Sequence, residues 1–92
     1  MKRIYRTSDG QADFEFNFST RPFTEEVRIY IGNMPSYGSR DTDGHSTHRF
    51  RDPNGAPYIC YDPAPTNLTD AFKIAKAWAE KTWRYIKTDQ RF

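Results

Sequence analysis

The sequence predicts an α+β fold in two layers: an antiparallel sheet of four to five strands within residues 2–61, with one C-terminal helix over about residues 68–87 packed on one face. Three observations predict it. Phe14, Phe16 and Phe18 alternate with Asp13, Glu15 and Asn17, the two-residue period of a strand with one buried face. Val27, Ile29 and Ile31 alternate in the same way with Arg28 and Tyr30. Leu68, Ala71, Phe72, Ala75, Trp78, Ala79, Trp83 and Ile86 recur at three-and-four spacing, the stripe of an amphipathic helix facing a core. A chain of 92 residues holds one such domain, residues 1–92, with no room for a second core.

Taken in order, residues 2–7 form a short first strand, and Ser8-Asp9-Gly10-Gln11 reverses the chain because Asp-Gly tolerates positive φ at a tight turn. Residues 12–18 return as its hairpin partner. After the Arg21-Pro22 break, residues 27–31 make the third strand, whose Arg28 is expected to pair with Asp13 or Glu15. Gly32 to Gly44, rich in Gly, Ser, Asn, Pro and Asp, reads as a loop of about a dozen residues, a length at which loops are often functional. Residues 46–51 read as a fourth strand, Asp52-Pro53-Asn54-Gly55 as a turn, and residues 58–61 as a fifth strand that Asp62-Pro63-Ala64-Pro65 ends. Asn67 or Thr66 caps the helix, and Asp70 places negative charge in the first turn, where the helix dipole favours it. Its opposite face carries Lys73, Lys76, Glu80, Arg84 and Lys87. About twenty helical residues span roughly 30 Å, enough to cross the whole sheet.

Composition narrows the function classes. Hydrophobic residues make up 36% of the chain but aromatic ones 16%, so fifteen rings must supply much of the core and some must lie at the surface. Cys60 has no partner for an internal disulfide, and no apolar stretch follows Lys2 and Arg3, so a cytoplasmic setting is expected. No apolar run is long enough to span a membrane. The net charge of +2 is small for a protein that tracks nucleic acid by charge alone, yet it is unevenly distributed. Residues 1–8 carry +3, residues 9–26 carry −4, residues 27–67 balance, and residues 68–92 carry +3.

The segment "RDTDGHSTHRFRD", residues 40–52, crowds Asp41, Asp43, His45 and His48 together. As a calcium loop it fails: with Gly44 at the glycine position, the bidentate acid would fall on Phe50. As a zinc site it lacks a nearby cysteine, and in a strand His45 and His48 point to opposite faces. No metal site is expected, the competing reading being acidic turn residues that lead into a polar strand. Cys60 lies in an apolar run without a nucleophile motif, and no glycine-rich phosphate loop is present, so neither catalysis nor a cofactor is expected. Contact with nucleic acid or an acidic partner is better supported. Arg40, Arg49 and Arg51, with Tyr37, Tyr58 and Tyr61 interleaved, would meet phosphates or bases, supported by Lys2, Arg3 and Arg6 if the strand edges lie together. Lys73, Lys76 and Arg84 form a secondary set, whose alternative role is the ordinary solvated face of a helix.

A cysteine-poor chain of under about a hundred residues, with a compact sheet followed by the helix "LTDAFKIAKAWAEKTWRYIKT" and no catalytic signature, resembles the small phage-encoded anti-CRISPR proteins, especially those that inhibit the subtype I-F surveillance complex. The resemblance covers the layout of the whole chain, and no functional residue is carried over from it. It implies a non-enzymatic inhibitor that docks on a CRISPR ribonucleoprotein, with protein and guide RNA as the surfaces it could touch, and blocks target-DNA recognition. The alternative is a small RNA- or DNA-binding module. A small metal-dependent enzyme using residues 41–48 ranks third.

Overall fold

In the computed structural model, which describes all 92 residues, one turn organises the N-terminal hairpin. Strand β1 (Lys2–Arg6) leads to Thr7, whose amide donates to the Ala12 carbonyl at 2.9 Å, and Gly10 reverses the chain at φ 73°, where a side chain would be strained. The Asp9 carboxylate ties this corner to the rest of the molecule. It accepts from the Thr7 hydroxyl at 2.6 Å, the Gln11 amide at 3.0 Å, the Trp83 indole at 2.8 Å and the Lys87 ammonium at 2.9 Å. These donors, the Thr7 hydroxyl first and Lys87 next, hold its pKa far below the usual carboxylate range. A lowered native pKa adds stability above the unfolded value of about 3.9, and that stability is lost as pH falls toward the native value. Asp9→Asn is therefore expected to melt below the wild type at neutral pH, with the gap closing below about pH 4. Thermal melts of both proteins from neutral pH into acid check this.

Strand β2 (Asp13–Thr20) pairs antiparallel with β1, placing Lys2 opposite Asn17 and Arg6 opposite Asp13. Strand β3 (Val27–Ile31) pairs with the other side of β2, Phe16 opposite Ile31. A short helix α1 (Gly44–Thr47) precedes β4 (Arg49–Arg51) and β5 (Pro57–Ile59). The spatial order is β1-β2-β3-β5-β4, with every neighbouring pair antiparallel. Helix α2 (Leu68–Thr88) packs on one face, capped at its start by the Asn67 side chain, which accepts from the Asp70 amide at 2.8 Å. Ala71, Ala75 and Ala79 are almost wholly buried, so small side chains let α2 approach the sheet closely. Trp78 meets Phe14 and Phe16 edge-on, each with centroids 6.0 Å apart. No helix is long and apolar enough to cross a membrane.

The architecture is the one expected, with four local corrections. Residues 46–51 are not one strand: the Asp43 side chain accepts from the Ser46 amide at 3.1 Å and starts α1, and His48 ends it in a left-handed conformation at φ 51°. Placing His45 and His48 on opposite faces of a strand therefore had no basis, since His45 belongs to α1. The fifth strand spans Pro57–Ile59 rather than residues 58–61. Arg28 does not pair with Asp13 or Glu15, because the register sets it opposite Ser19; Arg6 takes Asp13, and Lys2 approaches Glu15. On α2, Leu68 is exposed while Thr82 and Tyr85 are fully buried, because the chain between β3 and β4 packs against the last turns and covers them.

Candidate functional site

The arginines singled out from the sequence are dispersed, and several serve the fold. Arg49 donates to the Thr47 hydroxyl and the Thr42 carbonyl, both at 2.9 Å, with its guanidinium 5.0 Å from the Tyr37 ring centroid. Arg40 donates to the Ile86 carbonyl at 3.2 Å, and Arg51 to the Gly55 carbonyl at 2.8 Å. Tyr37 packs on Tyr85 with centroids 6.1 Å apart, and burial pushes its hydroxyl pKa up while the Arg49 cation pulls it down. These contacts fasten the 32–43 loop to α2. Because β1 and β4 are opposite edges of the sheet, Lys2, Arg3 and Arg6 do not join Arg49 and Arg51 in one patch, contrary to the grouping that joined edges would give. Lys73 lines a groove of about 440 Å³ between α2 and β5 with Cys60, Trp78 and Phe92, whereas Arg84 is exposed near the C-terminus. Lys76 lies beside Arg3 at the β1 edge.

Asp41, Asp43 and His48 are likewise occupied, and His45 is exposed on α1. Asp41 pairs with Arg91 at 2.8 Å, Asp43 caps α1, and the His48 ring stacks on Phe92 with its Nε2 2.7 Å from the Phe92 carbonyl oxygen. No three His, Cys, Asp or Glu side chains converge into a group able to hold a metal ion.

The residues that do converge lie on the sheet face that α2 leaves open. Alternation brings Arg28 and Tyr30 of β3, Tyr58 of β5 and Phe50 of β4 to this face, with Tyr30 opposite Tyr58 and Tyr58 opposite Phe50. Ring centroids are 5.9 Å apart for Tyr30 and Tyr58 and 5.7 Å for Phe50 and Tyr58, and the Arg28 guanidinium lies 4.1 Å from the Tyr58 centroid. Arg28 also donates to the Tyr30 hydroxyl at 3.4 Å, and that hydroxyl donates to Asp52 at 3.1 Å. The Ala56 amide above all, helped by the Tyr30 hydroxyl, holds the Asp52 pKa below the usual carboxylate range. The network leaves Tyr58 and Arg28 prearranged.

Strands β3 and β5 share the single register pair Tyr30–Tyr58. Beside it a cleft of about 150 Å³ opens, lined by Arg21, Arg28, Phe50, Tyr58, Tyr61 and Pro65 among others. Phe50 is 53% exposed and Tyr61 54%, and because both line one cleft they offer a flat, apolar area to a partner. The interleaved tyrosines pointed to Tyr58 and Tyr61. Arg28 and Phe50 were missed as partners because their meeting depends on β5 inserting between β3 and β4, although the polar alternation of Arg28 and Tyr30 already put both on one face. Comparison with protein-family models, with characterised proteins and with solved structures finds no match to this chain.

Proposed function

We propose that the chain is a non-enzymatic cytoplasmic binding protein that docks on a ribonucleoprotein through single-stranded nucleic acid, with the open-face cleft as its contact surface. The observation that carries this is the exposed Phe50 and Tyr61 beside the Arg28–Tyr58 stack on a sheet face no helix covers. Exposed rings on a sheet give bases a flat surface to stack on, and an arginine at the rim meets phosphate or a base edge. The resemblance to anti-CRISPR proteins would make the target a CRISPR ribonucleoprotein whose DNA recognition is blocked. In that reading the contact moves from the arginines of residues 40–51 to Arg21, Arg28, Phe50 and Tyr61.

The test uses labelled single-stranded RNA and DNA, and a purified subtype I-F complex, each titrated with wild type and Phe50→Ala. Losing one stacking ring is expected to cost about 1–3 kcal/mol of binding. With two arginines at the cleft, log affinity for a single strand should fall against log salt with a slope of about −1.4. Binding to the complex alone, weakened by Phe50→Ala, fits the inhibitor; equal binding to free strands fits the alternative of a nucleic-acid module. Unchanged affinity of Phe50→Ala for every target overturns the cleft as the contact surface.

A further inference from the structure

A second surface stands apart from the cleft, at the opposite end of the sheet. The Thr7 amide bonds to Ala12 and the Phe18 amide to the Met1 carbonyl, and the register continues this pattern through Arg3–Phe16 and Tyr5–Phe14. In an antiparallel ladder the hydrogen-bonded pairs alternate, so the amides and carbonyls of Lys2, Ile4 and Arg6 point outward from the sheet. The edge is uncovered, and Ile4 is 66% exposed. An open edge of this kind is a template for another strand.

The side chains along this edge define what that strand must carry. Lys2, Ile4 and Arg6 alternate on the open face, while Arg3 and Tyr5 face the α2 side. There a groove of about 230 Å³ runs between β1 and α2, floored by Phe16, Phe18, Phe72 and Ala75 and rimmed by Arg3 and Lys76. Tyr5 is held by the Glu80 carboxylate, which keeps that acid away from the rim cations. Neither Arg3 nor Lys76 has a carboxylate partner among the four ion pairs of the molecule. The groove is thus apolar along its floor with two cations free of acids, Arg3 and Lys76, at its rim, while Lys2 and Arg6 on the open face share Glu15 and Asp13 in exposed ion pairs, which stabilise little and can exchange partners.

We infer that the β1 edge takes an extended acidic peptide segment of a protein partner as a sixth, antiparallel strand. Position by position, the incoming strand places acids opposite Arg6 and Lys2, an apolar side chain opposite Ile4, a leucine-sized one opposite Tyr5, and an acid opposite Arg3, within reach of Lys76. Read from its N-terminus, that is Glu-Leu-Val-Glu-Glu. A second copy of the chain is a poor occupant, because two-fold antiparallel pairing about Ile4 would set Lys2 opposite Arg6 of the other copy, like charge against like. This inference does not rest on the open-face cleft, and its test contains no nucleic acid.

The full chain, labelled with nitrogen-15, is titrated with acetyl-Ser-Glu-Leu-Val-Glu-Glu-Ser-amide. The backbone amide signals of Ile4 and Arg6 are expected to shift and their hydrogen exchange to slow, with no such effect from the peptide that replaces each Glu by Lys. The double variant Arg3→Glu, Lys76→Glu, altered only at exposed positions, is expected to bind at least about tenfold more weakly. Ile4→Pro removes an outward amide but no bond to β2, and should lose binding while its helical circular dichroism is retained. Unmoved Ile4 and Arg6 amides at about 1 mM peptide overturn the inference. So does equal binding of the lysine peptide, or protection of those amides that grows with protein concentration alone, which would make the occupant a second copy.

Discussion

Trp78→Ala is expected to destabilise the protein by about 3–5 kcal/mol, the range for removing a large buried ring from a close-packed core. Trp78 is 4% exposed and stands edge-on between Phe14 and Phe16, which are 0% and 1% exposed. Removing it leaves a cavity beneath the middle of α2, where rigid alanines above and paired strands below limit collapse. Domains of this size typically hold about 5–15 kcal/mol in all. A loss at the low end still lowers the melting temperature by roughly 12 °C or more. The same side chain donates from its indole nitrogen to the Thr47 carbonyl at 3.1 Å, the bond that ties α1 to α2. Trp78→Phe separates the two effects: it keeps most of the ring but leaves that buried carbonyl unpaired, at a cost of about 1–3 kcal/mol. Urea denaturation of the three proteins checks both values, and equal stability of Trp78→Ala and wild type would remove Trp78 from the centre of the core.

What could be read from the sequence follows the range over which each signal acts. The alternation of Phe14 to Phe18 and of Val27 to Ile31 is local, and so is the helical stripe centred on Trp78; β2, β3 and α2 appear where these periods place them. Helix α1 escaped because its one signal, a side-chain cap from Asp43 to the Ser46 amide, lies in a run whose Ser, Thr and His suit a strand equally well. Its short helix persists through tertiary contacts, the burial of Thr47 and the bond from Trp78. The burial of Tyr85 and Thr82 depends on where the loop after β3 comes to rest, which no periodicity encodes. The candidate site was legible by half. Tyr58 and Tyr61 stood out as aromatic residues among arginines, but their arginine proved to be Arg28, and its partnership with Tyr58 follows from strand order and register.

That same loop allows the two placements of the contact surface to be told apart. Tyr85 is fully buried, its hydroxyl donates to the Asp41 carbonyl at 2.8 Å, its ring meets Tyr37, and the Arg91 guanidinium lies 5.9 Å from its centroid. Tyr85→Ala is expected to cost roughly 3–5 kcal/mol, since it opens a cavity and releases the loop at once. Tyr85→Phe keeps the ring and loses one bond, for about 0.5–1.5 kcal/mol, enough to loosen residues 37–41 without unfolding α2. Arg40 is carried by that loop and Arg49 is braced against it through Thr42 and Tyr37, so a contact surface built on them would be disturbed. The cleft side chains Arg28, Phe50 and Tyr61 do not touch Tyr85: Phe50 shares β4 with Arg49 but turns to the open face, where it packs on Tyr58. Binding by Tyr85→Phe should therefore match the wild type while its denaturation midpoint falls. A parallel loss of affinity and stability would return the contact to the arginines of the loop.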